Sequence, residues 1–171
     1  KLLSVGLAAV LSAGILTACG NDDKSSQTEG MNSENDRSFI ITLYPDIAPI
    51  TCENFEKLVS EGFYDGLTFH RVSEDFMAQG GDPNGDGTGG TDTIKGEFSA
   101  NGVENDLSHT RGVVSMARRS DSYDSGSCQF FICYGDCSFL DGEYAAFGKV
   151  TEGMEVVDGF LDVGIELNDY G

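Results

Sequence analysis

The chain has 171 residues, 39% of them hydrophobic, enough for one domain with a proper core. Its formal charge of −19 argues against nucleic acid and anionic membrane surfaces as partners of that domain. With 23 glycines and 3 prolines it is neither collagen-like nor proline-rich, and the glycines mark many turns, as in an all-β fold with long loops.

Residues 2–16 are mostly apolar and too short a run for a transmembrane helix. The run ends in Leu16-Thr17-Ala18-Cys19-Gly20, with Lys1 as the remnant of a basic leader. This resembles a bacterial lipoprotein signal, in which the cysteine after a small residue is lipidated and becomes the new N-terminus. The alternatives are an ordinary secretory signal and a buried helix. Without an initiator Met, the chain is expected to start inside its coding sequence. Residues 20–36, GNDDKSSQTEGMNSEND, lack apolar periodicity and read as a disordered tether. The expected division is therefore a signal at 1–18, a tether at 19–36 and a folded domain at 37–171 that is cut short at its C-terminus.

Residues 37–43 read as a strand, broken by Tyr44-Pro45-Asp46. Residues 49–61 read as a helix capped near Thr51, with Phe55, Leu58 and Val59 on one face and Gly62 ending it. Strands are expected at 68–72, 76–79, near Glu97-Phe98, at 112–117, 129–133 and 145–150, and a second helix at 154–161. Short strands with two helices suggest a closed antiparallel β-barrel. After the second helix only 165–167 is a candidate for a further strand, and it is too short to rely on.

The stretch FHRVSEDFMAQGGDPNGDGTGG, residues 69–90, holds two neighbouring strands and a glycine-rich loop. Period-2 alternation puts Phe69 and Arg71 on one face and pairs Met77 with Gln79 on another strand. The product is a rigid platform carrying a cation, a thioether, an amide and an aromatic ring, suited to a shallow apolar pocket. Asp82 to Gly87 matches the start of a calcium loop, but the twelfth position is Thr93 and no helices flank it, so no metal is expected.

Here the chain resembles the cyclophilin family of peptidyl-prolyl isomerases. The resemblance lies in Phe69-His70-Arg71-Val72, Phe76-Met77-Ala78-Gln79-Gly80-Gly81-Asp82 and Thr88-Gly89-Gly90. It continues through Gly112 to Ala117, Gln129-Phe130-Phe131-Ile132, Phe139-Leu140-Asp141-Gly142 and Phe147-Gly148-Lys149-Val150. It implies a closed barrel of about eight antiparallel strands with a helix at each end, of which this chain lacks a clear final strand. It implies rotation about X-Pro bonds, no cofactor and proline-containing polypeptides as partners. With the signal, the expectation is a monomeric isomerase, lipid-anchored through Cys19 outside a bacterial cytoplasm and assisting exported proteins.

An X-Pro bond turns slowly because rotation breaks amide resonance, a barrier of about 18–20 kcal/mol. Twisting gives the proline nitrogen a lone pair to which a fixed guanidinium can donate. Arg71 is the candidate for that role. Gln79 is expected to hold it in place. The resemblance assigns the proline slot to Phe76, Met77, Phe131 and Leu140, a second amide to Gln129, and close backbone approach to Ala117 and Gly87. Phe139 stands where some members carry Trp, which implies weak cyclosporin binding, and Tyr144 stands where many carry His. His70 is expected to serve structural hydrogen bonding rather than as a base, since no proton need move, and His109 has no sequence partner to make it a ligand.

The loop at 118–127 is longer than is usual in the family. Arg118-Arg119 reads as a solvated pair, or else as a preference for acidic residues before the substrate proline. Cys52, Cys128, Cys133 and Cys137 permit two disulfides or none, and Cys133 and Cys137 bracket a turn. The competing function is a non-catalytic module that holds proline peptides, for which Arg71 matters less. A surface adhesin using the fold as a spacer has no positive feature.

Overall fold

The computed structural model describes residues 37–163. The signal, the tether, Cys19 and the run at 165–167 lie outside the described residues. Six strands form one antiparallel sheet: β1 (Ile40–Leu43), β2 (Arg71–Ser73), β3 (Met77–Gly80), β4 (Val113–Met116), β5 (Phe130–Cys133) and β6 (Ala146–Glu152). Their order is β1-β6-β4-β5-β3-β2. The expected closed barrel of about eight strands is thus corrected: among the described residues the sheet is open, with β1 and β2 at its ends.

Two of the expected strands differ locally from the ladder observed. Residues 68–70 stay outside the ladder, and only Arg71–Ser73 pairs with β3. Phe69 instead turns into the core, where its ring lies 4.6 Å from Phe160 and 5.9 Å from Phe130. Near 97 there is no strand either, only an isolated bridge between Ile94 and Gly126. Glu97 is drawn instead to the first helix.

That helix, α1, spans Pro49–Ser60. Proline suits the first position, because its missing N–H would be unpartnered there. The helix is not capped by Thr51 as expected. Ala48 is the N-cap and offers no side-chain bond. The buried Glu97 carboxylate does the work from outside, accepting from Ile50 N (3.0 Å), Thr51 N (2.8 Å) and Thr51 Oγ1 (2.7 Å). A negative charge at a helix N-terminus also suits the macrodipole.

The sheet has two working faces. Ala78, Val114, Phe130 and Ile132 belong to the large core with Cys52, Phe55 and Leu58 of α1. Phe55 meets Phe130 edge to face at 5.4 Å, and each such buried ring contributes about 1.5–3 kcal/mol. The opposite face holds a second cluster of Met77, Phe131, Cys133, Cys137 and Leu140. The second helix, α2 (Met154–Asp158), is shorter than expected and continues as a 3-10 turn, Gly159–Asp162.

Candidate active site

Strand alternation assembles the second face. Arg71 lies opposite Gln79, Gln79 opposite Phe131, and Phe131 opposite Ser115, a row across β2, β3, β5 and β4. Met77 precedes Gln79 by two residues and shares its face. Met77, Phe131 and Leu140 are buried in one cluster, with Phe76, Ala117 and Tyr144 packed against it. Phe139, on the 3-10 turn Ser138–Leu140, is 70% exposed, and its ring lies 5.6 Å from Phe76 at the rim. Phe131 meets Tyr144 edge to face at 5.9 Å. All of the expected slot residues therefore meet in one patch.

The polar members have definite partners. Gln79 Nε2 donates to Gln129 Oε1 at 2.8 Å, and Gln129 Nε2 donates to the carbonyls of Gly87 (3.2 Å) and Gly89 (2.7 Å). The amide expected to hold Arg71 is thus bonded to the second glutamine. The Arg71 guanidinium lies over the Phe76 ring, 5.9 Å from its centroid. It is exposed on an edge strand, facing the apolar patch.

The glycine loop is pinned from inside. Asp82 is buried and accepts backbone N–H groups from Asn84, Asp86 and Gly87. Burial pushes its carboxyl up, but these bonds outweigh that and hold it below the usual value. A Cβ at Gly89 would collide with the Asp82 carboxylate, so the loop closes on that side chain only with glycine there. The Asp82 oxygens that a calcium reading would use serve this loop. His70 does not make the hydrogen bonds expected of it: both ring nitrogens are buried without a partner near the loop, and burial chiefly lowers its pKa.

Arg118 departs from the solvated pair expected of it. Its side chain is 9% exposed and lies over Tyr144, Tyr123 and Phe98, at 4.6, 5.0 and 5.5 Å from their centroids. Its Nε donates to the Glu143 carbonyl at 2.9 Å, and an ion pair of 3.2 Å joins it to the Glu143 carboxylate. It clasps the 118–127 loop against Tyr144. Arg119 is exposed and pairs with Asp121 at 3.1 Å. Cys52, Cys128, Cys133 and Cys137 are buried free thiols. Burial pushes Cys52 up to about 11 and raises Cys133 further. Sequence gave no sign of one further side chain at the patch: His109 stacks on Phe131, their centroids 6.1 Å apart.

A row of cation, amide and ring beside an apolar slot suits a proline ring and its preceding amide. Known proteins agree. Residues 30–169 match the family described as cyclophilin type peptidyl-prolyl cis-trans isomerase/CLD. Peptidyl-prolyl cis-trans isomerase B of Bacillus subtilis is 51% identical over 114 residues, 66% of this chain and 76% of its own length. Peptidyl-prolyl cis-trans isomerase-like 1 of Rhizopus delemar is 45% identical over 133 residues, 77% of this chain and 79% of its own. A crystal structure of a Cryptosporidium parvum cyclophilin, determined in the presence of the dipeptide Ala-Pro, superposes with a TM-score of 0.66 at 32% identity, covering 74% of this chain and 80% of that one. With the motifs, the two-faced sheet and these relatives in agreement, the chain belongs to the cyclophilin-type peptidyl-prolyl cis-trans isomerases.

Proposed function

We propose that this isomerase turns X-Pro bonds through Arg71, on a slot formed by Phe76, Met77, Phe131 and Leu140. The observation that carries the reading is the row Arg71–Gln79–Phe131 across three strands. The slot holds the pyrrolidine ring still. The preceding carbonyl then rotates while no bond to another atom is made or broken. As the proline nitrogen becomes pyramidal, the guanidinium donates to its lone pair, an interaction absent from either planar form. Phe139, Tyr144, Ala117 and Gly87 line the path of the flanking peptide. Gln79 and Gln129 fix the floor and the glycine rim. The Cryptosporidium cyclophilin's dipeptide supports a proline-containing ligand for the same fold.

The cell-level reading is an isomerase for exported polypeptides, monomeric, tethered by residues 19–36 and anchored by lipid on Cys19 after removal of residues 1–18. Its support is the Leu16-Thr17-Ala18-Cys19 pattern and the polar stretch that follows. A lipoprotein carries more than one acyl chain, which makes its anchoring stable.

The test is isomerisation of a proline tetrapeptide by the full chain, by Arg71→Ala and by Cys19→Ser, assayed in membrane and soluble fractions of a bacterial host. Arg71→Ala should lower kcat by roughly 100- to 1,000-fold with peptide binding retained. Cys19→Ser should move the activity to the soluble fraction. Wild-type turnover in Arg71→Ala would remove the guanidinium from the mechanism. Peptide binding without turnover in the intact chain would favour the holding module.

A further inference from the structure

We propose that His109, through Asp141, is a positioning residue that sets the shape of the proline slot. The inference rests on the reading that Phe131 and Leu140 form that slot. His109 is 1% exposed, and its ring lies nearly parallel to Phe131, 16° between planes. Phe131 thus meets two rings, His109 nearly parallel and Tyr144 nearly perpendicular to it.

The polar contacts run to both ends of one wall. His109 Nδ1 lies 2.8 Å from Asp141 Oδ1, and the His109 backbone N–H donates to the same oxygen at 2.8 Å. Ser108 Oγ donates to Asp141 Oδ2 at 2.6 Å. The His109 carbonyl accepts from Cys137 N at 2.7 Å. Cys137 and Asp141 are the residues on either side of the 3-10 turn Ser138–Leu140. The turn that carries Phe139 and Leu140 is thus fastened at both ends to one histidine.

The third contact reaches the sheet. His109 Nε2 lies 2.9 Å from Ser115 Oγ, and Ser115 is the cross-strand partner of Phe131. An ionised carboxylate only accepts, so in the neutral ring Nδ1 carries the proton and Nε2 accepts from the serine. The same side chain therefore fixes the slot's floor and its wall relative to each other. None of this brings His109 to the substrate. It acts through Phe131 and Leu140.

Displacement of positioning groups by an ångström costs large factors in rate. His109→Ala should lower kcat/KM about tenfold, chiefly through KM, when rates are scaled to folded protein well below the melting temperature. Asp141→Ala is the second variant, because Asp141 is partly exposed and its loss spares the core. It should raise KM several-fold, whereas Asp141→Asn, which keeps an acceptor, should restore it. A purely structural histidine would lower thermal stability and leave KM per folded molecule unchanged. That result in Asp141→Ala, or in folded His109→Ala, would overturn the proposal. Titration with Ala-Pro followed by NMR separates the two readings. If the Phe131 and Leu140 resonances do not respond to the peptide, the slot assignment itself fails. If they respond and KM is unmoved in the variants, only the role of His109 fails.

Discussion

A glutamine tip can face either way, and at Gln79 the neighbours decide which. Gln129 Nε2 donates to the carbonyls of Gly87 and Gly89, so its oxygen is the group turned toward Gln79. Gln79 must then offer its Nε2, which it does at 2.8 Å. Its own oxygen remains as the acceptor on the strand paired with Arg71. Gln79→Glu would set a carboxylate oxygen against the Gln129 oxygen and replace a hydrogen bond with repulsion. A loss of about 1–2 kcal/mol follows, and kcat/KM should fall roughly tenfold. Steady-state kinetics on a proline tetrapeptide would read it, and unchanged kinetics would mean that the amide chain is not needed to hold the site. The shared face of Met77 and Gln79 was legible in strand alternation, but the register that sets Arg71 opposite Gln79 and Gln79 opposite Phe131 was not, and Phe69, expected on the face of Arg71, turns into the core instead. The direction of each amide was not legible either, since it is set by loop carbonyls 40 and 42 residues away from Gln129.

Among the elements, α1 best shows how far a local reading reaches. Its apolar face and its proline start are visible in Pro49 to Ser60. Its cap is not, because the acceptor is Glu97, 46 residues beyond Thr51. The strand expected at Glu97-Phe98 is absent, and the Glu97 carbonyl accepts from Asn105 Nδ2 at 2.9 Å instead of from a neighbouring strand. Arg118 was misread for the same reason, since Phe98 and Glu143 lie 20 and 25 residues away, and the contacts of His109 with Asp141 were no easier to foresee. Glu97→Ala would leave the buried N–H and hydroxyl of Thr51 without their acceptor and release the N–H of the exposed Ile50. It should destabilise the fold by about 3 kcal/mol, seen as a lower urea midpoint at unchanged slope. A shift under about 0.5 kcal/mol would mean that water or another group caps α1 as well.

Considered whole, this acidic molecule has two histidines, His70 and His109, and burial lowers the pKa of both below the ordinary value of about 6.5. The unfolded chain therefore takes up protons first as pH falls through 6.5. Stability is fully present above that value and declines toward the depressed folded values. Most carboxylates have yet to titrate there, so relief of the acidic surface does not mask the effect. The urea midpoint should be lower at pH 5.0 than at pH 7.5, and His109→Ala should flatten the difference. Equal midpoints in the parent protein would mean that both rings are charged in the fold. At still lower pH the depressed carboxyls of Asp82 and Asp141 add to the loss. Burial alone would raise them, but hydrogen bonds from the loop and from Ser108 and His109 outweigh it. The pairing of β1 with β6 has a consequence for biosynthesis. Thr42 touches Thr151 across 109 residues, and β1 pairs with β6. At about 5–20 residues per second the ribosome needs roughly 5–20 seconds to deliver that partner. Through that interval the apolar Ile40–Leu43 segment has no ladder to join, and α1 spends much of it without Glu97. Nascent chains stalled short of residue 146 should therefore lack this domain's protection from proteases, and the chain should depend on chaperones until β6 has been made.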